Sequence, residues 1–367
     1  MIIFFITSLI IIFFIVILLF YCIRYYDTKE IIFRLLAIKY KVKNIVFYKK
    51  IKINEMSKIL SLTTKGKFIE YNIATPAWFP IISLESSDNK EWEFVKKNFI
   101  YFMTKTKLNS NSLPEIIRKK IEKMINGNIK IDSVWISKIV VDSLCEIIFC
   151  TKLNSFQLDL FYKGSIEWRK ELAMKGFGNS IIKYKCVDEI INLIKSNENI
   201  YNIFEEKWYQ PEFYSVIMQP FIISPMINIS DIMVNYVELI EKNKISLESY
   251  ITNDLINFVI YSYHPFPILE RYDSLTNTQY FIPLDNLTNS NNYSSENKLL
   301  VFGVGNRKCA GINFAYDILR TFFTLYAKYP NSFAPRHNHL YSGRNNDKFV
   351  FSELFYMLTI IIKIFCN

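Results

Sequence analysis

Residues 2–23 read IIFFITSLIIIFFIVILLFYCI, a run without a charge, a proline or a glycine. Such a stretch has few ways to fold. In hydrocarbon every backbone N–H and C=O must find a partner, and a helix supplies one within a single segment. About 20 apolar residues at 1.5 Å each cross a hydrocarbon core of about 30 Å. A cleaved leader would instead show a basic region ahead of a shorter apolar stretch ending in small residues. Here Met1 leads straight into the run and no such site follows, so the expectation is an uncleaved transmembrane anchor over 1–23. Arg24, Lys29, Arg34, Lys39, Lys41 and Lys43 all follow it. That bias places residues 24–367 on the cytosolic side of a membrane crossed once.

Beyond the anchor, residues 24–44 read as a basic connector and 45–367 as one domain. The 367 residues are 51% hydrophobic and include 31 Phe and 24 Tyr, enough for one sizeable core. Apolar residues recur near every 3.6 positions over 90–104, 113–126, 133–150, 187–196 and 231–243, which predicts helices. Strand signals are short, the best at 67–71 and 279–283. Residues 264–271 (HPFPILER) carry two prolines and read as irregular, and 284–298 (LDNLTNSNNYSSENK) as a solvated loop. The fold class expected is mainly α with a small β component.

The formal charge is +10 and the pI about 9.0. The bases are spread along the chain and no nucleic-acid motif accompanies them, so an anionic membrane surface or an acidic protein partner is the better match. Six cysteines lie at irregular intervals with no CxxC, which argues for a reducing compartment rather than a disulfide scaffold.

One of those cysteines stands apart. Residues 302–311 read FGVGNRKCAG and hold three of the chain's nine glycines. In a sequence so poor in glycine, that concentration signals unusual backbone angles or close approach of another body. Ala315, Ile318, Leu319, Phe322, Phe323 and Tyr326 then recur at helical spacing, so Cys309 falls in a tight loop at a helix N-terminus beside Arg307 and Lys308. Positive charge and the helix dipole both favour thiolate over thiol. His264, His337 and His339 are the only histidines; none has a recognisable context, and 337–339 reads as solvated loop.

The pattern F-x-x-G-x-R-x-C-x-G, here Phe302, Gly305, Arg307, Cys309 and Gly311, resembles the haem-binding loop of the cytochrome P450 family, and Phe314-Ala315 continues it. The resemblance implies a mainly helical cytochrome P450-like fold behind the transmembrane helix, with haem as cofactor and Cys309 as the axial iron ligand. It also implies backbone N–H groups offered to the sulfur and Arg307 paired with a haem propionate. Pro267 and Arg271 match the family's P-x-x-x-R, and Tyr280, Ile282 and Pro283 its short strand. Arg271 then reads as a second propionate partner or, more blandly, as a surface arginine beside Glu270. Glu91–Phe99 resembles the family's W-x-x-x-R helix, with Trp92 and Lys96 one turn apart. They can reach one porphyrin edge, or be core and solvent residues.

The departures bear on activity. Where the family carries E-x-x-R, this chain has Phe258 and Tyr261. Where the distal helix should hold an acid and a threonine, Ile227 and Asn228 stand, after a proline at 225 that reads as an opened helix or a plain kink. Asn228 can donate a hydrogen bond but does not readily relay a proton. Only 18 residues separate Pro283 from Phe302, against several dozen usual in the family. The leading expectation is a membrane-anchored haem-thiolate monooxygenase acting on a small apolar substrate, with electrons from a reductase whose acidic face would meet lysines and arginines here. The alternatives are a haem-binding protein without monooxygenase activity (a sensor, sink or relic) and an apo scaffold that keeps only the loop.

Overall fold

The computed structural model describes residues 36–47, 53–68, 70–108, 110–248, 250–262, 268–283 and 302–337, with Thr7 and six positions between 352 and 362. Apart from Thr7, the anchor span 2–23 lies outside the described residues, as do the loop 284–298, Pro267, His264 and His339.

The elements run β1 (Asn44–Phe47), α1 (Ile53–Leu60), α2 (Asn89–Thr106), α3 (Leu113–Asn126), α4 (Ser133–Phe149), α5 (Ser155–Leu172), α6 (Ser180–Lys195) and α7 (Glu198–Phe204). There follow α8 (Pro211–Glu241), α9 (Asn253–Ser262), β2 (Ile268–Asp273), β3 (Thr278–Pro283) and α10 (Ile312–Lys328). Helix starts are set by side chains that take up free amides: Asp132 accepts from the Trp135 N–H, and Asn154 and Gln157 form a reciprocal pair at the start of α5.

Helix α8 is the axis of the molecule. It packs against α2, α4, α5, α9 and α10. Met226, Ile227, Ile229, Met233 and Tyr236 are all buried along it. Sequence periodicity predicts helix only over 231–243, because Pro220 and Pro225 interrupt the pattern upstream. The structure keeps the helix continuous by widening Met218–Ile223 into a π-helical stretch around Pro220. Among the described residues α8 is the helix long and apolar enough to cross a membrane, but 78% of its apolar window is buried inside the protein. It is a core helix.

The sheet has the order β1-β3-β2, with β1 parallel and β2 antiparallel to β3. The strand expected at 279–283 is β3. Two other sequence readings are corrected. Residues 268–271, expected to be irregular, open β2: the prolines lie upstream and Arg271 pairs with Tyr280. Where strand was expected over 67–71, Lys67 and Phe68 form a turn and Glu70–Ala74 a π-helical segment. Sheet side chains supply the partners a ladder would have given: the Lys67 N–H donates to Gln279 Oε1 at 3.1 Å and the Glu70 N–H to Glu270 Oε2 at 2.9 Å.

The basic connector also ends earlier than its composition suggests. Leu36, Ala37 and Val42 are buried against Phe68, Ile73, Tyr272 and Phe281, and Asn44 already pairs with Thr278. Residues 36–44 are therefore packed structure, because their apolar positions cover the outer face of the sheet.

Candidate functional site

The cysteine loop is closed by its own backbone. The Cys309 N–H donates to the Phe302 carbonyl at 2.7 Å and the Lys308 N–H to that of Gly305 at 3.1 Å. Gly303 and Gly305 take φ of +75° and +63°, the left-handed region glycine enters without penalty. A Cβ on Gly303 would stand 3.0 Å from the Arg307 carbonyl oxygen. Gly311 has ordinary backbone angles; its N–H hydrogen-bonds the Cys309 sulfur.

The loop forms one wall of a cavity of about 350 Å³. Its other walls come from α2, α4, α8, α9, β2, α10, Lys65 and residues 84–85. Phe302, Arg307, Cys309 and Gly311 line it, as do Trp92, Lys96, Asn228 and Arg271. Gly305 lies in the same loop but not on the wall. Residues that sequence reading drew from four separate segments thus meet around one space. Most of the wall is apolar, with Phe99, Met103, Leu144, Phe221 and Ile232 among its members.

Cys309 is exposed, and the space it faces is the cavity. Desolvation against the cavity wall pushes its thiol above the ordinary value, which the Gly311 N–H only partly offsets. Arg307, expected to favour the thiolate, is not among the groups that lower it. The Arg307 guanidinium points elsewhere: Nε donates to the Thr63 carbonyl at 2.9 Å, Nη1 to the Ser87 carbonyl at 2.9 Å, and Nη2 meets Asp88 Oδ1 at 2.8 Å. It also stacks on Trp92, 3.9 Å from the ring centroid. With its donors so committed, Arg307 serves first as the clamp that ties the cysteine loop to α2.

Lys96 lies 4.7 Å from the centre of the same ring and donates to the Asn306 carbonyl. The Trp92 indole N–H donates to the Leu84 carbonyl at 3.0 Å. Both residues are therefore engaged with the loop, and neither is simply core or simply solvated.

Arg271 is 2% exposed. Its Nη1 donates to the Glu270 carbonyl at 2.7 Å, while Nε has no hydrogen-bond partner among the described residues. The reading of a surface arginine is thus overturned. On α8, Ser224, Pro225 and Asn228 face the cavity, whereas Ile227 is buried in the core. Near the missing E-x-x-R, α9 is joined to α10 by a hydrogen bond from Tyr316 Oη to Asn257 Oδ1 at 2.8 Å.

Sequence reading missed Lys65, Glu85 and Asp88. Lys65 is buried against Glu70 at 3.3 Å, and its N–H donates to Asp88 Oδ2 at 3.0 Å. Glu85 is an acid on the cavity wall, raised to about 7 by burial, with Lys65 opposing the rise and Glu70 adding to it. No local pattern marks these residues, because they come from turns whose partners lie far along the chain.

No protein-family model matches the sequence, and no curated protein matches it. The fold does have counterparts among solved structures. A cytochrome P450 from Thermus thermophilus aligns over 81% of this chain and 89% of its own, with a TM-score of 0.50 and 12% identity. A zebrafish cytochrome P450 solved with progesterone aligns over 73% of this chain and 81% of its own, with a TM-score of 0.49 and 12% identity.

Proposed function

We propose that this chain, which has the cytochrome P450 fold, is a haem-thiolate protein with Cys309 as the iron ligand, held on a membrane by residues 2–23. The residues present fit the cofactor. A sulfur faces an apolar cavity, and a buried arginine with an unpartnered Nε stands on the same wall, where a carboxylate would satisfy it. Trp92, Lys96 and Phe302 supply further wall. The single observation that carries the reading is this convergence of a thiol and an unsatisfied cation on one apolar space.

When bound, haem supplies dioxygen activation, with one oxygen atom entering the substrate and the other leaving as water at the expense of two electrons and two protons. The chain's own residues do the rest. The Gly311 N–H, bonded to the Cys309 sulfur, would steady that sulfur as an acceptor and ligand with haem bound. Phe99, Met103, Leu144 and Ile232 exclude water and favour an apolar substrate. Arg307, locked to Asp88 and Trp92, fixes the loop that carries the ligand. Exposed Lys308 offers positive charge beside Cys309 to an acidic reductase.

The spectrum of the reduced, carbon-monoxide-bound protein tests this. The wild type is expected to show the red-shifted band of iron–thiolate, and Cys309→Ala to lose it. A colourless chain expressed with ample porphyrin would overturn the reading.

The lining of α8 favours a second one, haem binding without monooxygenase turnover. Asn228 replaces the proton-relaying hydroxyl, and Ile227 turns into the core where an acid would be wanted. Turnover with a reductase excludes it; a thiolate spectrum with no turnover from reductase or peroxide supports it.

A further inference from the structure

Five cations line the cavity, Lys65, Lys96, Arg271, Arg307 and Lys308, and their donors are not equally committed. Arg307 gives its guanidinium to Thr63, Ser87 and Asp88 and stacks on Trp92. Lys96 donates to the Asn306 carbonyl and lies against the same ring. Lys308 is exposed. Lys65 and Arg271 differ from these three, being 5% and 2% exposed. An ammonium carries three donors, yet among the described residues the Lys65 ammonium makes one hydrogen bond, to Glu70 Oε1 at 3.3 Å. Arg271 Nε makes none there. Buried cations with donors left over bear a desolvation cost that an anionic acceptor entering the cavity offsets.

The surrounding chain fixes Lys65 where it stands. Its backbone N–H donates to Asp88 Oδ2 at 3.0 Å, while Oδ1 of the same carboxylate takes Arg307 Nη2. One acid thus positions Lys65 and occupies Arg307. The next residue, Gly66, lies so close to the sheet that a Cβ there would run into the Glu270 side chain. The charges that bear on Lys65 come from Glu70, from Glu85 on the neighbouring turn, from Arg271 on β2 and from Arg307 on the loop. The two acids favour its ammonium form; burial and the two arginines oppose it. A carboxylate placed by Lys65 and Arg271 relieves that opposition. Glu85 holds its proton up to about pH 7, so it repels an incoming carboxylate less than an ordinary glutamate does.

We propose that Lys65, together with Arg271, binds the carboxylates of haem, and that Arg307 holds the loop instead. The inference rests on the haem-thiolate reading and deepens it. It moves a role that the loop motif gives to Arg307 onto a lysine that no motif marks, because the donors of Arg307 are already engaged and those of Lys65 are not.

The test uses the full chain in lipid nanodiscs, loaded either with haemin or with haemin dimethyl ester, which keeps the ring and the iron but masks both carboxylates. Each is mixed with excess apomyoglobin, and loss of the porphyrin is followed by absorbance. The wild type is expected to release the ester about a hundredfold faster than haemin, about one factor of ten for each of the two cations. Lys65→Met should cut that ratio to about tenfold by speeding the loss of haemin alone, and Lys65→Arg should restore most of it. Lys65→Gln replaces the Met variant if circular dichroism shows the latter unfolded. Arg307→Lys, which breaks the clamp, should speed both losses alike and leave the ratio unchanged. A wild-type ratio near one, or a ratio that survives loss of the Lys65 charge, overturns the proposal; so does a ratio that collapses in Arg307→Lys. The Cys309-dependent spectrum separates the two readings. Its absence sinks the haem-thiolate reading, whereas its presence without a Lys65-dependent ratio sinks this inference alone.

Discussion

At the scale of single residues, the loop balances backbone strain against side-chain clamps. Gly303 and Gly305 both take positive φ, yet their surroundings differ. At Gly303 a Cβ would press on the Arg307 carbonyl oxygen at 3.0 Å, whereas at Gly305 the nearest atom would be 3.8 Å away, in Ser61. Gly303→Ala should therefore cost about 1–2 kcal/mol and lower the haem content of the purified protein. Gly305→Asn should be nearly silent, since Asn enters the left-handed region readily. Thermal unfolding and absorbance per mole of chain check both. Glu85 yields a prediction of stability against pH. Its folded value of about 7 stands above the ordinary 4.5, so the folded state holds the proton more tightly. Folding stability then declines as pH rises from about 4.5 to 7 and stays reduced above that window. Glu85→Gln removes this titration, so its melting temperature should exceed that of the wild type at pH 8 and approach it at pH 4.5.

At the scale of elements, the contact between α8 and α10 decides whether the cysteine helix stays in register with the cavity. Tyr236 and Phe323, both fully buried, stack with centroids 3.8 Å apart and planes 9° apart. The Tyr236 hydroxyl is buried without a hydrogen-bond partner among the described residues. Tyr236→Phe should thus hold or raise stability by about 1 kcal/mol, while Phe323→Ala should cost about 3–5 kcal/mol through the void it leaves; denaturant unfolding of the two variants separates these outcomes. The same elements show what the sequence revealed and what it hid. Helices α2, α3 and α4 were legible because their apolar stripes repeat at 3.6 residues over long stretches. The first half of α8 was not, because Pro220 breaks the pattern and only tertiary packing around a π-helical turn restores the helix. The cysteine loop stood out through its glycines, since a positive φ is a local demand that one residue type answers. Lys65, Glu85 and Asp88 left no such trace. Their roles arise from contacts such as Arg307 to Asp88, 219 positions apart, which no short window contains.

At the scale of the whole molecule, two apolar segments compete for the role of membrane span, and burial separates them. Helix α8 passes on hydropathy, but its residues are the core against which α4, α5 and α10 pack; placing it in lipid would unfold the domain. The proposal of a tether therefore rests on residues 2–23 and the basic flank behind them. Deleting those residues should move the chain from the membrane pellet to the supernatant at moderate salt, with the Cys309-dependent spectrum intact, because the elements that build the cavity begin after position 60. Ile38, Tyr71 and Leu275 leave apolar surface exposed on the segments of and around the sheet, at 76%, 65% and 95%, and such surface has a weak affinity of its own for a bilayer. Release of the truncated chain assigns the anchoring to the deleted run. Retention through a carbonate wash would refute the single-pass tether and move the membrane contact onto the folded domain.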